Sequence, residues 1–250
     1  MPFRHLVSGT AKWHEWPMIS VIIPTLNAER TLAAALTGLV PAAIDGLIRE
    51  VIVVDGGSSD RTREIADMSG ATIFDAPAGR GRQLMRGAAD ARFPWLLFLH
   101  ADTVLQDGWE AEAVRLMRLV DQHEAPEAAG VFRFRLNDTG LKPRLLETAV
   151  RARCALLALP YGDQGLLISR RLFDDVGGYK DLPIMEDVDL MRRLGRKRIK
   201  FFNSMAVTSA ERYKRDGYIR RALRNQMCLA LYGAGLPAAK IVRIYGRASA

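Results

Sequence analysis

Trp95-Leu96-Leu97-Phe98-Leu99-His100-Ala101-Asp102 is the stretch of this chain that decides its fold. Large apolar residues follow one another without a break and then stop at a histidine and a carboxylate. Such a run is typical of a strand that is buried on both faces of a parallel sheet. Side chains that follow a strand of this kind lie in the crevice where open α/β sheets bind ligands. Asp102 is therefore a candidate ligand for a hard cation that is carried by a phosphate.

Three further buried strands are predicted upstream, at 19–24, 50–55 and 71–75, and each is followed by a helical segment. Alternating strands and helices form right-handed crossovers and a parallel sheet. Downstream, residues 130–136 alternate apolar and basic side chains, which predicts a half-buried antiparallel strand. Two late strands are predicted at 199–202 and 206–208. We expect an α/β fold with a Rossmann-like, mostly parallel central sheet flanked by helices, and a smaller mixed or antiparallel second half.

Composition limits the classes of partner. The 250 residues carry a formal net charge of +8, which favours anionic ligands or surfaces. Nucleic acid is not expected, because no recognition motif accompanies the charge. The two cysteines have no motif spacing, as expected for free thiols in a reducing compartment. No apolar run reaches the ~18 residues of a membrane span, and residues 1–17 lack an apolar signal core, so a cytoplasmic location is expected.

Four polar clusters follow the predicted strand ends, where a doubly wound sheet would bring them to one edge. They are Thr25-Leu26-Asn27-Ala28-Glu29, Asp55-Gly56-Gly57-Ser58-Ser59-Asp60, Gly79-Arg80-Gly81-Arg82 and His100-Ala101-Asp102. Each alone is typical of a turn or of a helix cap, and Asn27 is a candidate cap for the helix that follows it. Together they supply carboxylates and amides for a base and a sugar, and arginines for phosphate charge.

A fifth cluster, Glu186-Asp187-Val188-Asp189, lies at a predicted helix start. Acids there complement the helix dipole, which is one interpretation. The other is that Asp187 faces the crevice as a general base, which requires hydrogen-bond reach of the hydroxyl that it deprotonates. The glycines around Arg80 begin like a dinucleotide fingerprint but lack its third glycine, and no P-loop signature occurs.

Taken in order, these motifs resemble the family 2 glycosyltransferases with the GT-A fold, over roughly residues 18–210. The matching stretches are Val21–Glu29, Val53–Thr62, the Leu99–Asp102 variant of the Asp-X-Asp motif, Gly162–Gly165 and Glu186-Asp187. The chain is most similar to a bacterial subgroup with His-Ala-Asp in place of Asp-X-Asp. The expected division is an N-terminal extension at 1–17, for which disorder is one interpretation, a GT-A domain at 18–210, and a basic helical tail at 211–250 packed on that domain.

The resemblance implies a role for each matching position. Asp187 would be the catalytic base with Glu186 beside it, and Asp102 would bind a diphosphate-bound Mn²⁺ or Mg²⁺. Asp163, Gln164 and Gly165 would lie near the donor sugar and the acceptor. The residues expected around the nucleotide sugar are Thr25, Asn27, Glu29, Asp55 (on the base), Ser58, Asp60, Arg80, Arg82, His100 and Ala101.

Two departures from the family pattern bear on the metal. His100 replaces the first acid of Asp-X-Asp, which leaves open whether it contacts the metal, and Thr208-Ser209-Ala210 occupies the region of a late histidine ligand. The Gln-X-X-Arg-Trp motif of processive synthases is absent, which favours transfer of a single sugar.

The expected activity is metal-dependent, inverting, hexosyltransferase-like transfer from a nucleotide-diphosphate sugar, with a UDP-sugar as the expected donor, to an acceptor hydroxyl. The alternatives are a non-catalytic nucleotide-sugar-binding protein and a sugar-1-phosphate nucleotidyltransferase; the latter would need a glycine-rich, lysine-bearing loop where residues 24–29 lie. The basic tail, with Arg212, Arg220 and Arg224 among aromatic and apolar residues, is either a solvated helix face or a peripheral contact with anionic lipid that would give access to a lipid-linked acceptor.

Overall fold

A single eight-stranded mixed sheet, with helices on both faces, organises the computed structural model, which describes residues 17–245. Its strand order is β3-β2-β1-β4-β7-β6-β8-β5. The strands are β1 Ile19–Thr25, β2 Ile48–Asp55, β3 Thr72–Asp75, β4 Trp95–Phe98, β5 Thr103–Leu105, β6 Ala129–Asn137, β7 Leu166–Ser169 and β8 Ile199–Ser209. The α-helices are α1 Leu32–Thr37, α2 Val40–Ile44, α3 Thr62–Met68, α4 Arg80–Asp90, α5 Trp109–Asp121, α6 Leu141–Leu157, α7 Arg170–Asp175, α8 Glu186–Leu194, α9 Glu211–Asp216, α10 Tyr218–Gly233 and α11 Ala238–Tyr245. Short 3₁₀ turns occupy Gly162–Gln164 and Arg196–Arg198.

The first four strands pair in parallel, as predicted. Their side chains alternate between two buried clusters, one on each face of the sheet. On β4, for example, Trp95 and Leu97 pack on one face, and Leu96 and Phe98 pack on the other. Burial on both faces explains why the sequence shows an unbroken apolar run and no alternation. Because the strands are parallel, their carboxyl ends lie at one edge of the sheet.

The second half of the sheet is mixed. β7 pairs antiparallel with β4 and β6, but β6 pairs parallel with β8, so the strand predicted as antiparallel at 130–136 is antiparallel to only one of its two neighbours. The two predicted late strands are one strand, β8, whose register against β6 shifts in the middle. Asn203 and Ser204 interrupt the apolar pattern there, and both their backbone N–H groups donate to the Glu112 carboxylate, at 2.7 and 2.9 Å. A side chain from α5 thus accepts the hydrogen bonds of the backbone N–H groups in the irregular segment.

The tail after residue 210 forms helices that pack on the sheet domain. Cys228 and Leu229 of α10 and Ile241 of α11 share a buried cluster with Met185 and Val188 at the start of α8. Both cysteines are buried free thiols. Among residues 17–245, no helix is both long and apolar enough to cross a bilayer. The expected N-terminal extension lies outside the described residues, apart from Pro17.

Candidate active site

The loops that follow β1 and β2 are joined to each other by polar contacts at the carboxyl edge of the sheet. Asn27 Oδ1 accepts from Ser59 N at 2.9 Å, and Asn27 N donates to Ser58 Oγ at 2.9 Å. Glu29 N donates to Asp60 Oδ2 at 3.1 Å. Asn27 has a φ of 51° and does not cap the following helix, whose N-cap position is Thr31, so that prediction was wrong. Its left-handed backbone instead turns the first loop toward the second.

Asp55 organises the second of these loops. Its carboxylate accepts from Thr25 Oγ1 at 3.1 Å, from Ser58 Oγ at 2.5 Å, and from the N–H groups of Gly57 and Ser58 at 3.1 and 2.9 Å. Burial by itself would raise the pKa of Asp55, but these hydrogen bonds outweigh burial and hold the pKa below its usual value. Asp55 is therefore an ionised anchor for the loop, and its expected contact with a base stays a prediction.

Gln83 is a structural residue of the site that sequence reasoning missed. Its buried amide Nε2 donates to Thr25 O at 2.7 Å and to Val54 O at 2.9 Å, which ties the ends of β1 and β2 together. Two residues earlier, a Cβ on Gly81 would lie 2.5 Å from Lys180 O, so only glycine admits this close approach. A glutamine within a helix gives no sequence signal for such a role.

Arg80, at the first position of α4, links the middle of the cleft to α8. Its Nε donates to Glu186 Oε1, and its Nη1 lies 3.1 Å from His100 Nε2. The neighbouring Arg82 pairs instead with Asp181 at 2.7 Å on the exposed surface. The structure thus brings Arg80, His100 and Glu186 together and does not bring Arg82 to them.

His100 lies between Arg80 and Asp102. Burial, with the nearby charges of Arg80 and Arg212, lowers the pKa of His100 well below its usual value. Because Arg80 can only donate, the Nε2 of His100 accepts, and hydrogen-bond geometry then assigns the ring proton to Nδ1. Nδ1 lies 3.9 Å from Asp102 Oδ1. His100 is thus a neighbour of both Arg80 and Asp102, and whether it contacts a metal stays a prediction.

Asp187 lies in the first turn of α8, directly opposite the loop at 160–165. Its Oδ2 accepts from Gly162 N at 2.8 Å, and its Oδ1 accepts from Val188 N at 2.7 Å. Met185, the N-cap residue two positions before Asp187, has a φ of 69°, a strained conformation for a non-glycine residue. A Cβ on Gly162 would lie 2.8 Å from His100 Nε2, so this glycine lies between Asp187 and His100. The segments that carry Asp102 and Asp187 therefore meet at one cleft.

The loop at 160–165 divides its side chains between the cleft and the protein interior. Gln164 is turned inward, where its Nε2 donates to Phe132 O at 2.9 Å and its Oε1 accepts from Tyr161 N at 3.3 Å. Gly165 follows with a φ of 64°. Tyr161 stacks under the Arg153 guanidinium at 3.5 Å, and sequence reasoning named neither residue. The hydroxyl of Tyr161 is buried and has no hydrogen-bond partner among residues 17–245.

Asp163 is the other unsatisfied polar group of this loop. Its Oδ1 is buried and has no partner within the described part of the chain. Burial, joined by the negative charges of Asp187 and Asp102, raises the pKa of Asp163 to about 6, against the opposing effect of Arg153 and Arg80. The charges of both predicted acids, Asp187 and Asp102, therefore act on Asp163.

These oxygens fit a hard divalent cation. The Asp102 carboxylate has long contacts, to Thr103 Oγ1 at 3.5 Å, to His100 Nδ1 at 3.9 Å and to Arg212 Nη2 at 4.0 Å, so its lone pairs are available. The Asp163 Oδ1 is an oxygen donor without a partner nearby, and carboxylate oxygens are the ligands that Mg²⁺ and Mn²⁺ prefer. No group of three or more His, Cys, Asp or Glu within residues 17–245 is arranged to enclose a metal, so a nucleotide's phosphates would have to complete the shell.

Arg212, which sequence analysis assigned only to the basic tail, is a cation at the edge of the cleft. It follows the Thr208-Ser209-Ala210 segment, and its guanidinium is 55% exposed at 4.0 Å from Asp102. Thr208 itself donates from Oγ1 to Asp163 O at 3.2 Å. The segment that the family resemblance associates with a histidine ligand therefore borders the cleft and presents an arginine to it.

The sequence model described as "Glycosyl transferase family 2" matches residues 20–174. A PGL/p-HBAD biosynthesis glycosyltransferase of Mycobacterium tuberculosis is 34% identical over 122 residues, which cover 43% of this chain and 43% of that protein. Glucosyl-3-phosphoglycerate synthase of the same species is 34% identical over 95 residues, which cover 34% of this chain and 29% of that protein. The chain thus spans less than half the length of these curated relatives.

Solved structures agree on the fold. Glucosyl-3-phosphoglycerate synthase from Mycobacterium tuberculosis, in complex with Mn²⁺ and UDP-glucose, superposes with a TM-score of 0.60 at 23% identity, and covers 88% of this chain and 80% of that one. The same enzyme with Mn²⁺, UDP and glucosyl-3-phosphoglycerate gives a TM-score of 0.54 at 22% identity. At this level of identity the likeness establishes the fold, and the expected α/β architecture of the GT-A type is confirmed.

Proposed function

The chain belongs to glycosyl transferase family 2, and on that premise we propose that it transfers a single sugar from a nucleotide-diphosphate sugar to an acceptor hydroxyl, with inversion at the anomeric carbon. The observation that carries this proposal is geometric: Asp187 accepts from Gly162 N at 2.8 Å, Arg80 Nη1 lies 3.1 Å from His100 Nε2, and His100 Nδ1 lies 3.9 Å from Asp102 Oδ1. A UDP-sugar is the proposed donor, since a structural neighbour is a synthase crystallised with Mn²⁺ and UDP-glucose.

The two joined loops at 25–29 and 55–62 are the proposed nucleotide wall. The hydrogen bonds between these loops fix their backbone before a ligand binds. Binding therefore costs little additional conformational entropy of the loops. Thr25, Asn27, Glu29, Asp55, Ser58 and Asp60 belong to this wall through the contacts described above.

The leaving diphosphate needs positive charge. Glu186 and Asp187 raise the pKa of Arg80 although burial opposes them, so this guanidinium stays cationic at every working pH. Arg212 adds a second, more exposed cation beside Asp102. Asp102, with Asp163 nearby, would hold a Mn²⁺ or Mg²⁺ ion, which when bound supplies further charge stabilisation to the leaving diphosphate.

Asp187 is the proposed general base. Each of its carboxylate oxygens accepts one backbone N–H and keeps a second lone pair for the acceptor proton. The acceptor oxygen forms a bond to the anomeric carbon while the bond from that carbon to the diphosphate breaks, and the electron pair leaves with the diphosphate. The acceptor proton passes to Asp187, and a single displacement of this kind inverts the stereocentre.

The Asp187→Asn variant tests this assignment. We expect UDP-glucose hydrolysis, with Mn²⁺ present and water as the acceptor, to fall by about 10² to 10⁴-fold, because the amide accepts no proton. UDP affinity by calorimetry should stay within about twofold, because the proposed nucleotide wall is elsewhere. Asp181→Asn, which removes an exposed carboxylate paired with Arg82, is the matched control and should behave as the wild type.

Two results would count against the proposal. Undiminished turnover by Asp187→Asn would remove the base from that residue. Binding of UDP by a wild-type chain that turns over no nucleotide sugar would favour the non-catalytic nucleotide-sugar-binding alternative.

The acceptor is proposed only by class, as a hydroxyl compound that reaches the loop at 160–165. We also propose that the acceptor is lipid-linked and that the chain makes a peripheral contact with the membrane. A cytoplasmic location stays a prediction.

A further inference from the structure

Two helices of the second half, α6 and α10, carry most of the large hydrophobic side chains that are exposed between residues 17 and 245. Eleven large hydrophobic side chains are exposed there, and seven of them lie on these two helices. The seven, which we call the α6–α10 face, are Leu141, Leu145, Leu156, Leu157, Ile219, Leu223 and Met227. Single exposed apolar residues are common on protein surfaces, but a concentration of this kind marks an interaction site.

On α10 the exposed residues form a stripe. Ile219, Leu223 and Met227 recur every four residues, so they lie along one side of the helix. Ile219 and Leu223 are 69% and 65% exposed. The neighbouring Cys228 and Leu229 are buried in the cluster with α8, so a different side of α10 packs into the core.

The same arrangement occurs on α6. Leu141, Leu145 and Leu156 are spaced by four and eleven residues, which places them on one side of the helix. All three are at least 60% exposed. Val150 and Cys154 instead point into a buried cluster with β6 and α9. Each helix therefore has an apolar side in the core and a second one in solvent.

The two stripes are neighbours. Tyr218, which begins α10, donates from its hydroxyl to Asp138 Oδ2 at 2.5 Å, and Lys214 Nζ lies 3.1 Å from Asp138 Oδ1. Asp138 is also held by α6, because Arg144 Nη2 donates to Asp138 O at 2.7 Å. The N-terminal ends of the two helices therefore meet, and the helices contact one another.

Charge decides what the face would bind. Helices α6 and α10 contain seven basic residues and one acid, Glu147, which is itself paired with Arg144. Lys142, Arg151 and Arg220 are exposed and form no ion pair within residues 17–245. A second copy of the chain on this face would bring like charges together. An anionic surface would satisfy both the apolar stripe and the unpaired cations.

We propose that the α6–α10 face lies on the surface of an anionic lipid bilayer. Its leucines enter the boundary between head groups and acyl chains, and Lys142, Arg151 and Arg220 lie at the lipid phosphates. The chain leaves α6 at Leu157 and, five residues on, reaches Gly162, whose N–H holds the candidate base. The bilayer would thus present amphipathic acceptors next to the cleft; only this last step rests on the proposed glycosyl transfer.

Vesicle flotation tests the proposal with the full chain and without nucleotide sugar. Vesicles of phosphatidylcholine with about 30% phosphatidylglycerol should carry the protein, and phosphatidylcholine vesicles should carry much less. The double variant Leu145→Glu/Leu223→Glu should lower the bound fraction on anionic vesicles by about tenfold or more. The matched control is Ile44→Glu/Met68→Glu, which makes the same charge change at two equally exposed apolar residues on α2 and α3, and should bind as the wild type.

Three outcomes would overturn the proposal. The first is no binding to anionic vesicles at low ionic strength, and the second is equal binding by the two double variants. The third is a dimer of the wild-type protein in the absence of vesicles that Leu145→Glu/Leu223→Glu dissociates and the control variant does not, which would assign the face to a second copy. Melting curves of both variants confirm that they are folded. Because no donor is present, these results are independent of the UDP-glucose assay.

Discussion

Gly162 is the residue at which three parts of the candidate site touch. Its N–H holds Asp187 at 2.8 Å, and the space for its Cβ is taken by His100 Nε2. His100 in turn accepts from Arg80 and faces Asp102. The absence of a side chain at Gly162 thus leaves the room in which His100 and Asp187 approach the same backbone.

The Gly162→Ala variant should therefore damage the site more than the fold. The added methyl must displace His100 or the loop, and we expect a loss of about 1 to 3 kcal/mol in unfolding free energy. UDP-glucose turnover should fall roughly a hundredfold, because Asp187 loses its alignment. Gly233→Ala on α10, where the nearest atom is 3.4 Å away at the end of the Arg192 side chain, is the control. Equal turnover in both variants would contradict this reading of Gly162.

Among the elements, the junction between α9 and α10 depends on one carboxylate. Asp216 accepts from Arg215 at 3.0 Å, from Arg221 at 2.7 Å and from Arg224 at 3.2 Å, so it joins the end of one helix to the first turns of the next. Hydrogen bonds from Arg215 and Arg221 lower the pKa of Asp216 to about 2. These ion pairs are partly exposed, so their contribution is modest.

The Asp216→Asn variant should therefore be less stable than the wild type near neutral pH, by about 2 to 4 °C in melting temperature. A carboxylate whose pKa is lower in the folded state stabilises above its unfolded pKa of about 3.9, and this stabilisation is lost as the pH falls through the folded value. The difference in melting temperature should shrink between pH 4 and pH 2. Asp175→Asn, which removes an exposed pair with Arg198, should show little difference at any pH. A difference that is independent of pH would contradict the ion-pair explanation.

At the scale of the whole molecule, the C-terminal helices and the candidate base share one buried cluster. Met185 and Val188 flank the Glu186-Asp187 pair, and they pack against Cys228 of α10 and Ile241 of α11. This packing supports the left-handed Met185 that directs the chain into α8. The tail is therefore part of the architecture that holds the base.

Truncation of Ile241 tests this coupling. Ile241 is fully buried, so Ile241→Ala should cost about 2 to 5 kcal/mol and lower the single melting transition of the whole chain. Leu223→Ala, at an exposed position of α10, should change stability by less than about 0.5 kcal/mol. A separate early transition in Ile241→Ala, with the main transition unchanged, would mean that the tail unfolds on its own.

The prediction from sequence succeeded where a local pattern indicates burial. It failed where a side chain that is distant in the chain determines the bounds of a strand or the partner of a residue. The apolar runs predicted β1 to β4, because burial on both faces leaves an uninterrupted signature. β8 was divided in two, because Glu112, some ninety residues away, supplies the hydrogen bonds that carry its irregular segment. Gln83 was missed and Arg82 was grouped with Arg80 for the same reason: their partners, the ends of β1 and β2 and Asp181, are remote in the chain.

The order of apolar runs and strand-end motifs by itself determined the α/β class, the edge of the sheet that carries the site and the candidate acids, since the period of burial and the position of a residue after a strand are both local properties. Only the tertiary structure decided that His100 lies between Arg80 and Asp102, that Gly162 lies between His100 and Asp187, and that α6 and α10 together form an apolar, basic face. Those properties depend on distances between segments that are far apart along the chain, and such distances are fixed only when the sheet and its helices have packed together.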